Sequence, residues 1–367
     1  MTDSTDRMPS KPYLALSGGV GGAKLVLGLS KCLSPDDLLI VTNTGDDFEH
    51  LGLTICPDLD TVLYTLADWN NKDLGWGQAE ESWNFLAALK RLGGEDWFNL
   101  GDRDMATHVV RSRMLVDGAS LSDVVARLTE SMGIAHRVVP MTDHPVRTMV
   151  HTENETLSFQ HYFVRDRCEP TVTGFEFEGI ESASPSEGLQ QALDESPRAI
   201  LICPSNPFVS VDPILTLPGV TDAIRAAKVP VIVVSNIVGG QALKGPAAKM
   251  MSELNMPQTA LGVAQHYADK YGDLVTGFIL DDKDSDLEAD VAALGLSTIV
   301  TNTVMVTLDD KIELAKSMLA FVSMFEEKGL EKKGLGKKAL KEKGLHTAGS
   351  DGKQRKNRSL DSSRLQD

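Results

Sequence analysis

The stretch VTNTGDDFEHLGLTICPDLDTVLY, residues 41–64, sets Asp46, Asp47, Asp58 and Asp60 in one connection between a strand-like and a helix-like run. Four carboxylates this close repel one another and any phosphate, a conflict that a hard divalent cation resolves by taking oxygen ligands. The competing assignment makes Asp46 and Asp47 a turn beside Gly45 and gives Asp58 or Asp60 the cap of the helix TVLYTLA. A cap needs only one of that pair, so Asp60 is the harder to explain without chemistry.

Upstream, LSGGVGGAKL at residues 16–25 is a Gly-rich turn between a strand and a helix. Backbone N–H groups and the helix dipole favour an anion there, although a structural tight turn has the same look. It is not a Walker A loop, because Lys24 follows Ala23 and precedes Leu25, and its glycines are out of register with GxGxxG. Downstream, NLGDRDMATHVVRSR at 99–113 brings Arg103, His108 and Arg111 beside Asp102 and Asp104. Asp104 and His108 share a helix face and Arg suits a bidentate phosphate clamp, while a salt-bridged surface helix fits the same string.

The string ICPSNPF at 202–208 ends an apolar strand in a proline-stiffened loop whose Ser205 and Asn206 either contact a nucleotide or close a turn. VSNIVGGQALKGPAAKMM at 234–251 repeats the strand, Gly-loop, helix arrangement and adds Lys244 and Lys249. Its methionines, with Met256, read as core filling.

Positioning these loops falls to the runs YLAL, LLIV, AILIC, VPVIVVSNIV and LVTGFIL, which alternate with helical patterns as βαβ units do around a parallel sheet. The expected fold class is α/β, a Rossmann-like, mostly parallel sheet flanked by helices, over residues 12–136 and 181–328. QAEESWNFLAALKRL reads as a helix with Trp83, Leu86, Ala87, Leu89 and Leu92 near one face, mostly core and cap, before Gly93 and Gly94. Alternating VRTMVHT, LSFQHYFVR and VTGFEFEG mark a β-rich inserted subdomain over 137–180. Residues 1–11 read as disordered, as does 331–367, where eight Lys and three Arg face five acids among few large apolar residues.

With 367 residues, a net charge of −16 and 42% hydrophobic side chains, the chain is globular and long enough for two domains or one with an insertion. An acidic body disfavours nucleic acid as a partner but not an anionic small molecule. Cys32, Cys56, Cys168 and Cys203 make no CxxC pair, which fits reduced thiols rather than zinc or disulfides. Without a basic-apolar leader or a run of about eighteen apolar residues, a cytoplasmic, non-membrane protein is expected.

Taken in order, SGGVGGAKL, NTGDDF, CPDLDTVLY, LGDRDMATH, DGASLSD, CPSNP and SNIVGGQALKGPAAKMM resemble the 2-phospho-L-lactate transferase family of coenzyme F-420 biosynthesis. The likeness spans roughly residues 14–325. Its first loop is nearer the bacterial type, since Val20 and Gly22-Ala23 stand where archaeal members carry Thr and Thr-Pro. The resemblance implies transfer of a 2-phospholactyl, phosphoenolpyruvyl or 3-phosphoglyceryl group from a guanosine diphosphate-linked acid to the ribityl hydroxyl of the deazaflavin Fo. GMP is released, Mg2+ is the implied cofactor and a homodimer the implied assembly.

Residue by residue, the resemblance implies that Asp60 contacts or orients the attacking hydroxyl and that Arg103 binds the deazaflavin or the phosphates. Asp46 and Asp47 are the implied magnesium ligands, Asp47 the better of the two. Gly18, Gly19, Gly21 and Gly22, with Ser205 and Asn206, should line the guanosine diphosphate site, and Lys24, Thr44, Asp104 and His108 complete the substrate-binding set. Two other classes compete. A nucleotide-sugar-binding regulator of the gluconeogenesis-factor type shares the fold. An NAD-linked oxidoreductase is disfavoured by the out-of-register glycines and by two acids at 46 and 47 where a single ribose-binding acid is expected somewhat earlier.

Overall fold

The computed structural model describes residues 11–332 apart from Leu74 and Leu243. The chain opens with β1 (Tyr13–Ser17), α1 (Gly19–Cys32), β2 (Leu38–Thr42), the hairpin β3 (Phe48–His50) and β4 (Leu53–Ile55), and α2 (Pro57–Leu66). Helices α3 (Asn84–Arg91), α4 (Asp102–Val116) and α5 (Leu121–Ser131) lead to β5 (Arg137–Pro140). Next come β6 (Arg147–Thr152), β7 (Thr156–Ser158), β8 (Val172–Glu178), α6 (Glu187–Asp194) and β9 (Ala199–Ile202). After α7 (Asp212–Leu215) and α8 (Val220–Ala227) run β10 (Val231–Val234), the hairpin β11 (Ile237–Val238) and β12 (Gln241–Ala242), and α9 (Ala247–Glu253). Helix α10 (Ala260–Tyr271), β13 (Gly277–Leu280), α11 (Glu288–Ala293), β14 (Ser297–Val300) and α12 (Leu308–Lys332) complete the order.

Strands apolar on both faces can lie only where both are covered, and YLALS, LLIVT, AILI and VIVV are buried throughout. They form the middle of a seven-stranded sheet in the order β14-β13-β10-β9-β1-β2-β5. All neighbours are parallel, with Leu14 of β1 level with Leu39 of β2 and Ile200 of β9. The chain builds outward through β2 and β5, then returns beside β1 as β9 and builds the other way. That reversal opens a crevice at the carboxyl ends of β1 and β9, the place where such sheets take ligands.

The inserted sheet is smaller than the sequence suggests. Residues Arg137–Pro140 belong to the main sheet as its edge strand, paired in parallel with β2, so the insertion is the antiparallel sheet β7-β6-β8 that follows. A strand of four residues is too short to declare its sheet from its own pattern. In LSFQHYFVR only the first residues are strand, and His161–Arg165 is a π-helical turn with Tyr162 buried.

The helix expected over QAEESWNFLAALKRL also starts late, at Asn84, and buries only Leu86 of the residues placed on its inner face. Leu92 is 86% exposed. The residues before Asn84 stay out of the helix because Glu81 and Ser82 spend their polar groups on the start of α4.

The chain divides into two compact units at Val322–Ser323. Helix α12 reaches two residues into the segment expected to be disordered, and the rest of that segment, with residues 1–10, lies outside the described residues. Among the described residues no helix is long and apolar enough to cross a membrane.

Candidate active site

Gly18 and Gly19 carry the chain from β1 into α1, Gly19 with φ +62, a conformation that suits glycine. A Cβ on Gly18 would fall 2.5 Å from Asp58 Oδ2, on Gly21 2.2 Å from the Pro204 carbonyl oxygen, and on Gly22 2.5 Å from the hydroxyls of Ser17 and Ser205. These glycines let the start of α1 press against the loop after β9. Ser205 fastens the contact: its buried hydroxyl accepts from Gly18 N (3.1 Å) and donates to Gly18 O (2.8 Å). Asn206 turns its amide inward, accepting from Phe208 N and reaching Met250 Sδ.

The residues named for the nucleotide loop are thus brought together, with the side chains of Ser205 and Asn206 shaping the loop itself. Lys24 lies one turn further along α1 and donates to Met305 O (3.0 Å). Burial, then the charges of Lys311 and Lys244, hold its pKa below the ordinary lysine value.

The acidic connection after β2 is organised by Asn43, which sequence reasoning passed over. Its amide donates to Asp58 Oδ2 (2.9 Å) and Val209 O (3.1 Å), and its Oδ1 accepts from Gly45 N (2.8 Å). Asp58 also accepts from Gly19 N (2.6 Å), so it joins the acid loop to the glycine loop. Burial raises the Asp58 carboxyl to about 6 and that of Asp47 to about 7. Asp46 is pushed well above the carboxylate range by burial and by the charges of Asp58 and Asp47. Asp46 Oδ1, Asp47 Oδ1 and the hydroxyl of Thr44 are buried without a hydrogen-bond partner. Buried oxygens without a partner are hard donors of the kind a divalent cation takes, so these residues fit such an ion.

A second cluster lies between α2 and α4. Asp60 and Tyr64 are four apart on α2, while Asp104, His108 and Arg111 follow at spacings of four and three on α4, so each set forms one polar face. Arg111 is buried and grips Asp60 with both terminal nitrogens, NH1 to Oδ2 at 3.1 Å and NH2 to Oδ1. Burial alone would depress the guanidinium, but Asp60 beside it outweighs that and raises its pKa.

His108 Nδ1 faces Arg111 NH1 at 3.1 Å, which puts the ring proton on Nε2, 3.4 Å from Asp104 Oδ1. Tyr64 Oη donates to the same Asp104 oxygen at 2.6 Å. Burial would raise the Asp104 carboxyl, yet His108, Tyr64 and Arg111 together hold it below its ordinary value. Ligand atoms of Asp60, Asp104 and His108 converge within 4.8 Å, but the Arg111 charge already compensates that spot.

Arg103 stands apart from this cluster. Its guanidinium is half exposed and held by Glu80 (3.2 Å) and the Ala79 carbonyl (3.1 Å). Among the described residues the fully buried arginine is Arg111, which the sequence offers beside Arg103 and His108 without setting it above Arg103. The signal available was its spacing, three beyond His108 and seven beyond Asp104 on one helix face.

The profile of the family 2-phospho-L-lactate transferase CofD matches residues 14–313, a span that contains every side chain of both clusters. The chain belongs to this family. A phosphoenolpyruvate transferase of Kitasatospora aureofaciens is 39% identical over 313 residues, 84% of this chain and 96% of that protein. A 2-phospho-L-lactate transferase of Methanosarcina mazei is 36% identical over 303 residues, 83% of this chain and 98% of that protein. Among solved structures, a UPF0052-family protein of Bacillus halodurans superposes with a TM-score of 0.58 at 15% identity, covering 85% of this chain and 100% of its own. That likeness is one of fold. As a member of the 2-phospho-L-lactate transferase family the protein is a transferase, and Asp58 joins its acid connection to the glycine loop.

Proposed function

We propose that the protein, a cytoplasmic homodimer, moves a phospho-acid group from a guanosine diphosphate-linked donor to the ribityl hydroxyl of Fo, releasing GMP, with Mg2+ as cofactor. Family membership over residues 14–313 carries this reading. In the reaction the hydroxyl oxygen bonds to the phosphorus that bears the acid and gives up its proton to solvent, the bond from that phosphorus to GMP breaks, and GMP leaves with the electron pair. Phosphoryl chemistry of this kind asks the protein for positioning and charge neutralisation.

The chain's own residues supply both. The opening turn of α1 offers backbone N–H groups to the donor phosphates, although that of Gly19 is taken by Asp58. Asp60, fixed by Arg111, keeps lone pairs free to orient the acceptor hydroxyl and take its hydrogen bond. Asp46 and Asp47 would hold the magnesium ion, whose part is to neutralise charge on the phosphate oxygens, and their unpaired buried oxygens support that assignment.

The test is chromatographic and mass-spectrometric measurement of Fo loss and GMP release with phosphoenolpyruvyl, 2-phospholactyl and 3-phosphoglyceryl donors, with and without chelator. Equal GMP release and Fo loss with one donor, abolished by chelator, is the expected outcome. Intact Fo with all three, from protein that still binds guanosine nucleotide, would favour the nucleotide-binding regulator instead.

A further inference from the structure

The direction in which Asp60 points is set from behind it. Both of its oxygens are gripped by Arg111, and the planar guanidinium fixes their plane. The guanidinium is itself pinned at one corner. Its NH1 carries two hydrogens and faces three acceptors: Asp60 Oδ2 at 3.1 Å, the Thr54 carbonyl at 3.3 Å and His108 Nδ1 at 3.1 Å. Thr54 belongs to β4 and His108 to α4, so two elements brace the fork from different sides. Among the described residues Arg111 Nε has no hydrogen-bond partner, which leaves the fork's orientation to its two terminal nitrogens.

His108 and Arg111 are each 1% exposed, so the imidazole acts on a bound substrate only through its neighbours. A guanidinium donates and never accepts, which makes Nδ1 the unprotonated nitrogen of the ring. Asp104 Oδ1 stands 3.4 Å from Nε2 without forming a hydrogen bond, and the Tyr64 hydroxyl holds that carboxylate in place at 2.6 Å. The negative charge there favours the proton on Nε2. The one well-formed bond of the ring is therefore the one it accepts from Arg111.

We propose that His108 is a positioning residue for the transfer: through Nδ1 it holds the Arg111 fork square to Asp60 and so sets how Asp60 offers its lone pairs to the acceptor hydroxyl. The inference rests on Asp60 orienting that hydroxyl. Without an acceptor at Nδ1, NH1 is left to Asp60 and the Thr54 carbonyl, and the carboxylate turns with the fork. A misplacement of about 1 Å costs on the order of a hundredfold in rate while binding is spared.

Three substitutions take the ring apart. His108→Asn keeps an acceptor where Nδ1 stands, His108→Gln keeps a polar group where Nε2 stands, and His108→Leu keeps neither. In steady-state kinetics His108→Leu and His108→Gln should lower kcat about a hundredfold, with KM for Fo and GDP affinity by calorimetry within about twofold of wild type. His108→Asn should recover kcat to within about fivefold of wild type. Asn is smaller than Gln and leaves the larger void, so urea denaturation should find His108→Asn the less stable of the two. Activity and stability then rank the pair in opposite orders. Equal kcat in the Asn and Gln variants, or kcat that follows stability across all three, would overturn the positioning role. Nitrogen-15 NMR of histidine-labelled protein needs no substrate: the ring whose signal vanishes in His108→Asn should carry its proton on Nε2. A proton on Nδ1 would overturn the brace whatever the acceptor is. Failure of the wild type to convert Fo with any donor, its Nε2 proton in place, would instead overturn the transfer reading and, with it, this use of the brace.

Discussion

Asp60 and Arg111 form a buried, doubly hydrogen-bonded ion pair, so neither can be removed without stranding the other's polar group away from water. Asp60→Ala should therefore cost about 3–5 kcal/mol in urea denaturation as well as ending turnover. The two effects separate in a double variant. Asp60→Asn with Arg111→Met replaces the pair by a neutral, well-filled contact and should recover most of the stability, while turnover stays lost and GDP affinity stays near wild type. If turnover returned with stability, Asp60 would be a scaffold residue and the acceptor hydroxyl would be oriented by another group.

At the scale of elements, the first turns of α1 work only because nothing projects from them toward the loop after β9. Gly21→Ala would drive a methyl into the Pro204 carbonyl, which is backbone and cannot rotate aside. About 1–3 kcal/mol of stability should go, together with nucleotide affinity in calorimetry. Gly28→Ala is the control, since its clash is with the Lys311 carbonyl, away from the loop after β9. It should cost similar stability and leave nucleotide affinity intact; equal loss of binding in both would count against a nucleotide role for the α1 start.

The elements divide in how far the sequence announces them. YLALS and AILI declare buried parallel strands because each is apolar on both faces. The strand at Arg137–Pro140 does not, because its sheet is decided by β2. The acids at 46, 47 and 60 are conspicuous from their spacing. Arg111 becomes so only when α2 lies against α4, and Asn43 only when Val209 and Asp58 arrive from distant stretches. Trp83 looked like core because helical periodicity shows which residues share a face and not whether anything covers it.

For the molecule as a whole, the acid connection links stability to pH and to magnesium. Asp47 at about 7 and Asp58 at about 6 both sit above the ordinary 3.8, and Asp46 is raised as well. Between about pH 4 and 7 the folded state then binds more protons than the unfolded state, so unfolding free energy falls as pH rises. The stabilisation from Asp47 and Asp58 is whole below about pH 4 and gone above about 7, and Asp46 acts in the same sense. Asp104, held below its ordinary value, acts in the opposite sense, but its window lies below about pH 4 and does not overlap. A carboxyl moved from 3.8 to about 7 loses up to about 4 kcal/mol of stabilisation between about pH 4 and neutral pH. In chelator, thermal scans should show Tm falling on the order of 5 °C between pH 5 and pH 7.5. A divalent cation binds the ionised oxygens, so magnesium should restore much of that loss at pH 7.5 and do little at pH 5. Asp47→Asn should flatten the slope in chelator and erase most of the magnesium effect. Equal stabilisation by magnesium at both pH values, or an unaltered response in that variant, would move the ion away from Asp46 and Asp47 to ligands that are already ionised at pH 5.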